Sequence, residues 1–71
     1  MKITDSVSLG IAIRARRKSL RYTQKFLSEA TGLSVTFISD LENGKPTAEL
    51  EKTIILLNML GMDLNLTIRG E

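Results

Sequence analysis

Residues 23–43, TQKFLSEATGLSVTFISDLEN, decide the fold of this chain. They read as two short helices joined by a tight turn at Gly32. Thr23 is placed to cap the first helix, over 24–31, because a threonine hydroxyl accepts from the free amides of a first helical turn. Leu27 is central on the inward side of that helix, with Phe26 and Ala30 beside it. Gly32 ends it in the left-handed conformation that glycine tolerates. Leu33 plugs the corner, and Ser34 caps the next helix, over 35–43. In that helix Phe37 or Ile38, together with Leu41, turns to the core. Val35, Thr36, Ser39 and Asp40 are left on the other side.

Upstream, Leu9, Ala12, Ile13, Arg16/Arg17 and Leu20 recur at three- and four-residue spacing, the mark of a helix with one buried face. Ser6 or Ser8 is the expected cap, and residues 1–5 a frayed tail. Arg21 falls where the chain must leave the helix with φ > 0, at ~1 kcal/mol or more for a residue bearing a side chain. Downstream, Asn43-Gly44 stops the third helix and Lys45-Pro46 prevents its continuation. Thr47 is the expected cap of a fourth helix, with Glu49 or Glu51 suiting its positive end. Leu50, Ile54, Leu57 and Leu60 form the expected buried stripe, widened by Ile55 and Leu56, and Gly61 ends the helix.

The period then changes. Met62, Leu64, Leu66 and Ile68 alternate with Asp63, Asn65, Thr67 and Arg69, a period-two pattern that predicts a strand over 62–69. No other strand is predicted, and a lone strand leaves its backbone groups unpaired. The simplest remedy is pairing with its own copy across a two-fold axis. The alternative is an extended tail that lays its apolar side on the core. The expected fold class is therefore all-α, four helices with one C-terminal strand pairing across a dimer, and residues 1–71 form a single domain.

Composition bounds the rest. A chain of 71 residues, 42% hydrophobic, is marginal without disulfides, metal or oligomerisation. It has no Cys and no His, which excludes disulfides and the commonest soft-metal ligands and leaves oligomerisation. No secretory signal is expected, since residues 1–10 lack a basic start followed by an apolar core. The longest apolar run, Ile54-Ile55-Leu56-Leu57, is far short of the ~20 residues of a membrane span. A cytoplasmic protein is the expectation. Formal net charge is only +2, but Arg14, Arg16, Arg17, Lys18 and Arg21 crowd together, followed by Lys25. Such a patch fits phosphates, or is simply a solvated helix face.

Two helices with a short glycine-containing turn make a helix-turn-helix, whose second helix can enter the DNA major groove. Gln24, Leu27, Ser28, Gly32, Leu33, Ile38 and Leu41 have the spacing this geometry requires: position 28 small at the helix crossing, 32 turning, and 27, 33, 38 and 41 apolar.

The stretch RKSLRYTQKFLSEATGLSVTFISDLENGKPT resembles the Cro/Xre (lambda-repressor-like) family of bacterial and phage repressors, above all in TQ, GLS, FIS and LENGK. Gly32 and Leu33 fall on that family's turn. Arg21 departs from its usual glycine and Ser28 from its usual alanine. The resemblance implies an ion pair between Arg17 of the first helix and Glu42 of LENGK, against which stands the reading of two independent surface charges. It also implies that Gln24 contacts a DNA phosphate, reinforced by the helix N-terminus. Thr23, Lys25, Asn43 and Lys45 lie on the same edge as candidate phosphate contacts. Base reading would fall to Ser34, Val35, Thr36 and Ser39, as hydroxyl donors or acceptors and as methyl groups that suit thymine. Asp40 is read as rim or solvent.

The end of the chain carries a second resemblance. LGMDLNLTIRGE after a four-helix core, with KPTAEL opening the fourth helix, is similar to HipB-type antitoxins. It implies a strand paired across a homodimer through Met62, Leu64, Leu66 and Ile68, operator DNA as ligand, and a HipA-like kinase toxin as partner in a toxin–antitoxin operon. The alternative is a stand-alone Cro/Xre-type regulator. No cofactor or metal is expected. An enzyme is not expected either, because no His, Cys or carboxylate pair offers a nucleophile and base. A protein-binding adaptor is the main reading without DNA, and the basic patch beside Gln24 and Lys45 speaks against it.

Overall fold

In a computed structural model of the chain, residues 1–70 are described, and they form four α-helices: α1 (Ser6–Ser19), α2 (Gln24–Thr31), α3 (Val35–Glu42) and α4 (Leu50–Met59). Each of the first three starts on a side-chain cap. Asp5, rather than Ser6 or Ser8, caps α1: the Ser8 N–H donates to its carboxylate at 2.8 Å, while the Ser8 hydroxyl accepts from the Asp5 N–H at 3.2 Å. Ser8 thus serves three residues into the helix, closing a reciprocal box that satisfies two free amides. These bonds, the Ser8 backbone N–H first and its hydroxyl second, hold the Asp5 carboxyl below the ordinary carboxylate range. Thr23 accepts from Phe26 N–H at 2.9 Å and Ser34 from Phe37 N–H at 3.0 Å.

The fourth helix departs from expectation. It begins at Leu50, its N-cap is Glu49, and no side chain caps it, so Thr47 lies ahead of the helix in a turn. Its buried face is Thr53, Leu56 and Leu57, continued by Leu60, with Leu50 and Ile55 exposed. Four consecutive apolar residues left the facing side open in the sequence. Thr53 resolves it, because its hydroxyl donates to Glu49 O at 2.8 Å and so enters the core without an unmet polar group. In α2, likewise, only Leu27 is buried; Phe26 and Ala30 are exposed. Phe26 packs sideways on Tyr22, ring centroids 4.7 Å apart.

The core joins all four helices: Ile13, Leu27, Leu33, Ile38, Leu41, Leu56, Leu57 and Leu60. Two close approaches lock α1 to the end of α3. A Cβ on Gly10 would stand 2.5 Å from Leu41 O and 2.7 Å from Glu42 O, so only glycine lets the two backbones meet. At Gly44, in the left-handed turn that ends α3 (φ 81°), a Cβ would meet Val7 Cα at 2.9 Å. The other end of α1 is tied to α4, where Arg16 Nε donates to Leu60 O at 2.9 Å. That arginine satisfies a carbonyl the helix end leaves free, a role its place in the basic cluster did not reveal.

Residues 62–68 follow the last helix without regular secondary structure, and no strand is present among the described residues. The expected strand is not formed within one chain because a ladder requires a second backbone, and none lies alongside. Met62 packs on the core, while Leu64, Leu66 and Ile68 are 56, 94 and 72% exposed. No helix among the described residues is long and apolar enough to cross a membrane.

Candidate nucleic-acid interface

The turn between α2 and α3 is built as the sequence required. Gly32 is left-handed (φ 79°), and its N–H donates to Ser28 O at 2.9 Å. The Thr31 hydroxyl donates to Leu27 O at 2.6 Å and accepts from Leu33 N–H at 3.1 Å, holding Leu33 in the corner. With Ile38 and Leu41 buried below, Ser34, Val35 and Thr36 are exposed at the start of α3 and Ser39 is half-buried one turn on.

Beneath the N-terminus of α2 lies a buried polar cluster. Arg17 Nε donates to Glu42 Oε2 at 2.6 Å and Nη2 to Oε1 at 2.9 Å, a two-pronged pair with side chains 11% and 2% exposed. Arg17 Nη1 donates to Tyr22 O at 2.9 Å, so the same guanidinium holds the turn between α1 and α2. Hydrogen bonding to Glu42 raises the Arg17 pKa above its ordinary value, outweighing the opposite effect of burial. Gln24 joins this cluster, its Nε2 donating to Glu42 Oε1 at 3.2 Å. A carboxylate only accepts, so this bond turns the amide nitrogen of Gln24 toward Glu42. No buried side-chain polar atom among the described residues lacks a partner, which is the condition for a buried ion pair to hold its geometry.

The structure therefore sorts the basic residues. Arg16 and Arg17 are occupied within the fold, whereas Arg14, Lys18, Arg21 and Lys25 are exposed. Lys45 is also exposed, and its Nζ lies 3.3 Å from Asp40 Oδ2, so Asp40 is a salt-bridge partner rather than a free rim residue. Asn43 caps α3 and its side-chain nitrogen reaches Ser39 Oγ at 3.5 Å. Thr23 spends its hydroxyl on the α2 cap. Sequence reasoning missed the links of Gln24 to Glu42 and of Lys45 to Asp40. The second had a signal, opposite charges either side of a helix stop; the first depended on how α2 and α3 cross.

Known proteins place this geometry. The helix-turn-helix family matches residues 13–66. The chain is 34% identical over 70 residues to an uncharacterized HTH-type transcriptional regulator, y4mF, of Sinorhizobium fredii, covering 99% of this chain and 92% of that protein. It is 38% identical over 64 residues to the ImmF control region 10 kDa protein of Bacillus phage phi105, covering 86% of this chain and 68% of the other. Among solved structures, the HipB–O4 20mer complex superimposes with a TM-score of 0.90 at 24% identity, covering 99% of each chain. A HipA–HipB–O2–O3 complex gives the same TM-score and identity. At that identity the likeness is one of fold. With an exposed α3 face, caps at both helix starts and a matching family over most of its length, the chain belongs to the helix-turn-helix DNA-binding regulators of the Cro/Xre type.

Proposed function

We propose that this protein is a sequence-specific repressor that binds operator DNA as a homodimer, and that it acts in the cytoplasm as the HipB-like antitoxin of a kinase-type, HipA-like toxin. The observation that carries the DNA reading is the start of α3. Ser34, Val35 and Thr36 stand exposed on a helix whose opposite side is fully buried, so the face is rigid and available. Ser34, Val35, Thr36 and Ser39 read base edges; hydroxyls and methyls of this kind discriminate modestly, which makes two copies at fixed spacing necessary for specificity. Thr23, Gln24, Lys25, Asn43 and Lys45 contact the sugar–phosphate backbone around them, Gln24 through the amide hydrogen that Glu42 leaves free. Lys45 leaves Asp40 to do so, at little expense for an exposed pair.

The antitoxin reading is supported by the fold shared with HipB over nearly the whole chain, including the segment after α4. A stand-alone regulator is the second reading, favoured by the names of the two sequence relatives, a transcriptional regulator and a phage control-region protein. Binding to DNA from immediately upstream of its own reading frame tests the first part. Gln24→Ala and Lys45→Ala should weaken binding alike on every sequence. Val35 and Thr36 substitutions should change which site is preferred, by ~1–3 kcal/mol per affected base. A site preference unchanged in selections with those variants would reject the assignment. A HipA-like kinase encoded beside it, inhibited by and co-eluting with the purified protein, decides between antitoxin and lone regulator.

A further inference from the structure

Of the two acids in α3, Glu42 is sealed against Arg17, its side chain 2% exposed, while Asp40 stands open, its side chain 42% exposed. Nor does Asp40 lie at the edge of the presented face. Buried Ile38 and Leu41 mark the inward direction of α3. At about 100° per residue, Thr36 then points almost straight outward, and Ser39 and Asp40 lie about 50° to either side of it. Val35 is further round, at about 90°. The end of the helix supplies Asp40 with its cation. Across the left-handed turn at Gly44, Lys45 N–H donates to Asp40 O at 3.0 Å, and the Lys45 ammonium comes to 3.3 Å from Asp40 Oδ2.

An exposed pair of this kind is readily parted, and the reading proposed above sends Lys45 to a phosphate. That move uncovers a carboxylate inside the groove of a polyanion. A carboxylate only accepts hydrogen bonds, and most of the polar atoms on the major-groove edge are acceptors too: guanine N7 and O6, adenine N7, thymine O4. The two donors are the amines at adenine N6 and cytosine N4. Adenine N6 lies between its own N7 and thymine O4, whose lone pairs oppose an anion on both sides. Cytosine N4 has guanine O6 on one side only and a carbon-bound hydrogen on the other. We infer that Asp40 is a specificity-determining residue, accepting from the N4 amine of one cytosine in each half-site. This rests on the operator-binding reading above and adds a base to it. Away from its site, Lys45 covers the carboxylate. On a site with the wrong base, Asp40 meets lone pairs without a donor, so discrimination comes from repulsion as well as from the bond formed.

Binding selections from randomised duplexes with the full-length protein test this. Wild type should select cytosine at one position of each half-site, with any other base there bound about 5- to 150-fold more weakly. Asp40→Ala should accept all four bases at that position and keep its preferences elsewhere. Asp40→Asn should turn the preference to adenine, whose N6 and N7 match a carboxamide. Lys45→Ala separates the two members of the pair: it should weaken binding on every duplex and keep the cytosine. Loss of the preference in Lys45→Ala would assign it to lysine on the paired guanine and overturn the inference. So would a selected site unchanged in Asp40→Ala, with every duplex bound more tightly by one factor, since Asp40 is then only a repelling anion. Either result leaves operator binding standing. A wild-type protein that binds no duplex at low salt overturns the operator reading and this inference with it.

Discussion

Gly10→Ala should destabilise the protein, although the same change in an ordinary helix stabilises it by about 0.5–1 kcal/mol. The added methyl would lie 2.5 Å from Leu41 O, 2.7 Å from Glu42 O and 3.0 Å from Glu42 C. These are backbone atoms on the last turn of α3 and cannot rotate away. Reaching even the short end of ordinary contact, 3.4 Å, requires α1 to retreat by about 0.9 Å. The retreat loosens Ile13, which is fully buried, and pulls Arg17 from bonds of 2.6 and 2.9 Å to Glu42. Overpacking of this kind costs about 1–3 kcal/mol. Set against the propensity gain, the net loss is about 0–2.5 kcal/mol, its upper part a large share of the few kcal/mol that hold a domain of this size. Urea unfolding followed by circular dichroism measures it, at one protein concentration because any dimer makes stability concentration-dependent. Ala15→Gly, at an exposed position on the same helix, is the control and should lose about 1 kcal/mol through propensity alone. If Gly10→Ala matches or exceeds the wild type in stability, the close packing of α1 on α3 is not what glycine serves there.

Arg17→Met leaves the Glu42 carboxylate buried without its cation and should lose about 3–5 kcal/mol in the same unfolding measurement, whereas Arg17→Met combined with Glu42→Leu should recover most of it. Equal losses in Arg17→Met and in the double variant would show that the stranded carboxylate is not the source of the loss. The Asp5 carboxyl is held below its ordinary value by the α1 capping bonds, so its contribution is present above the unfolded pKa, near 3.8, and is lost as pH falls through the folded one. Protection of the amides of residues 6–9, taken relative to their intrinsic exchange rates at each pH, should therefore fall on acidification below about pH 4, and this fall should be absent in Asp5→Asn.

The helix-turn-helix was legible because its signals are local. Thr23, Ser34 and Gly32 each act through bonds to residues within four positions, and the α2 limits, Gln24 and Thr31, follow from them. Arg21 is left-handed (φ 61°) for the same reason: the chain leaves α1 and enters α2 within four residues. What was illegible depends on how helices meet. The buried face of α4 could not be read from Ile54-Ile55-Leu56-Leu57, since such a run is apolar on every side. Its start was misplaced because Thr47 has a capping side chain but Lys45-Pro46 and the turn after them keep it from the helix. The basic cluster looked like one surface, yet Arg16 and Arg17 turn inward to Leu60 O and Glu42. Gly10 gave no sign, because its demand comes from a carbonyl more than thirty residues away in sequence.

The left-handed Arg21 has a kinetic consequence. A glycine there would relieve about 1 kcal/mol of backbone strain, but it would remove a guanidinium from the turn just ahead of α2. Arg14, Lys18, Arg21 and Lys25 form no ion pair among the described residues. Cations kept free on a stationary scaffold act on a polyanion before contact is made. They increase the frequency of productive collisions, fade as salt shortens their reach, and change residence time little. Arg21→Gly should therefore unfold at higher urea and associate with DNA more slowly at low salt, with its dissociation rate little changed.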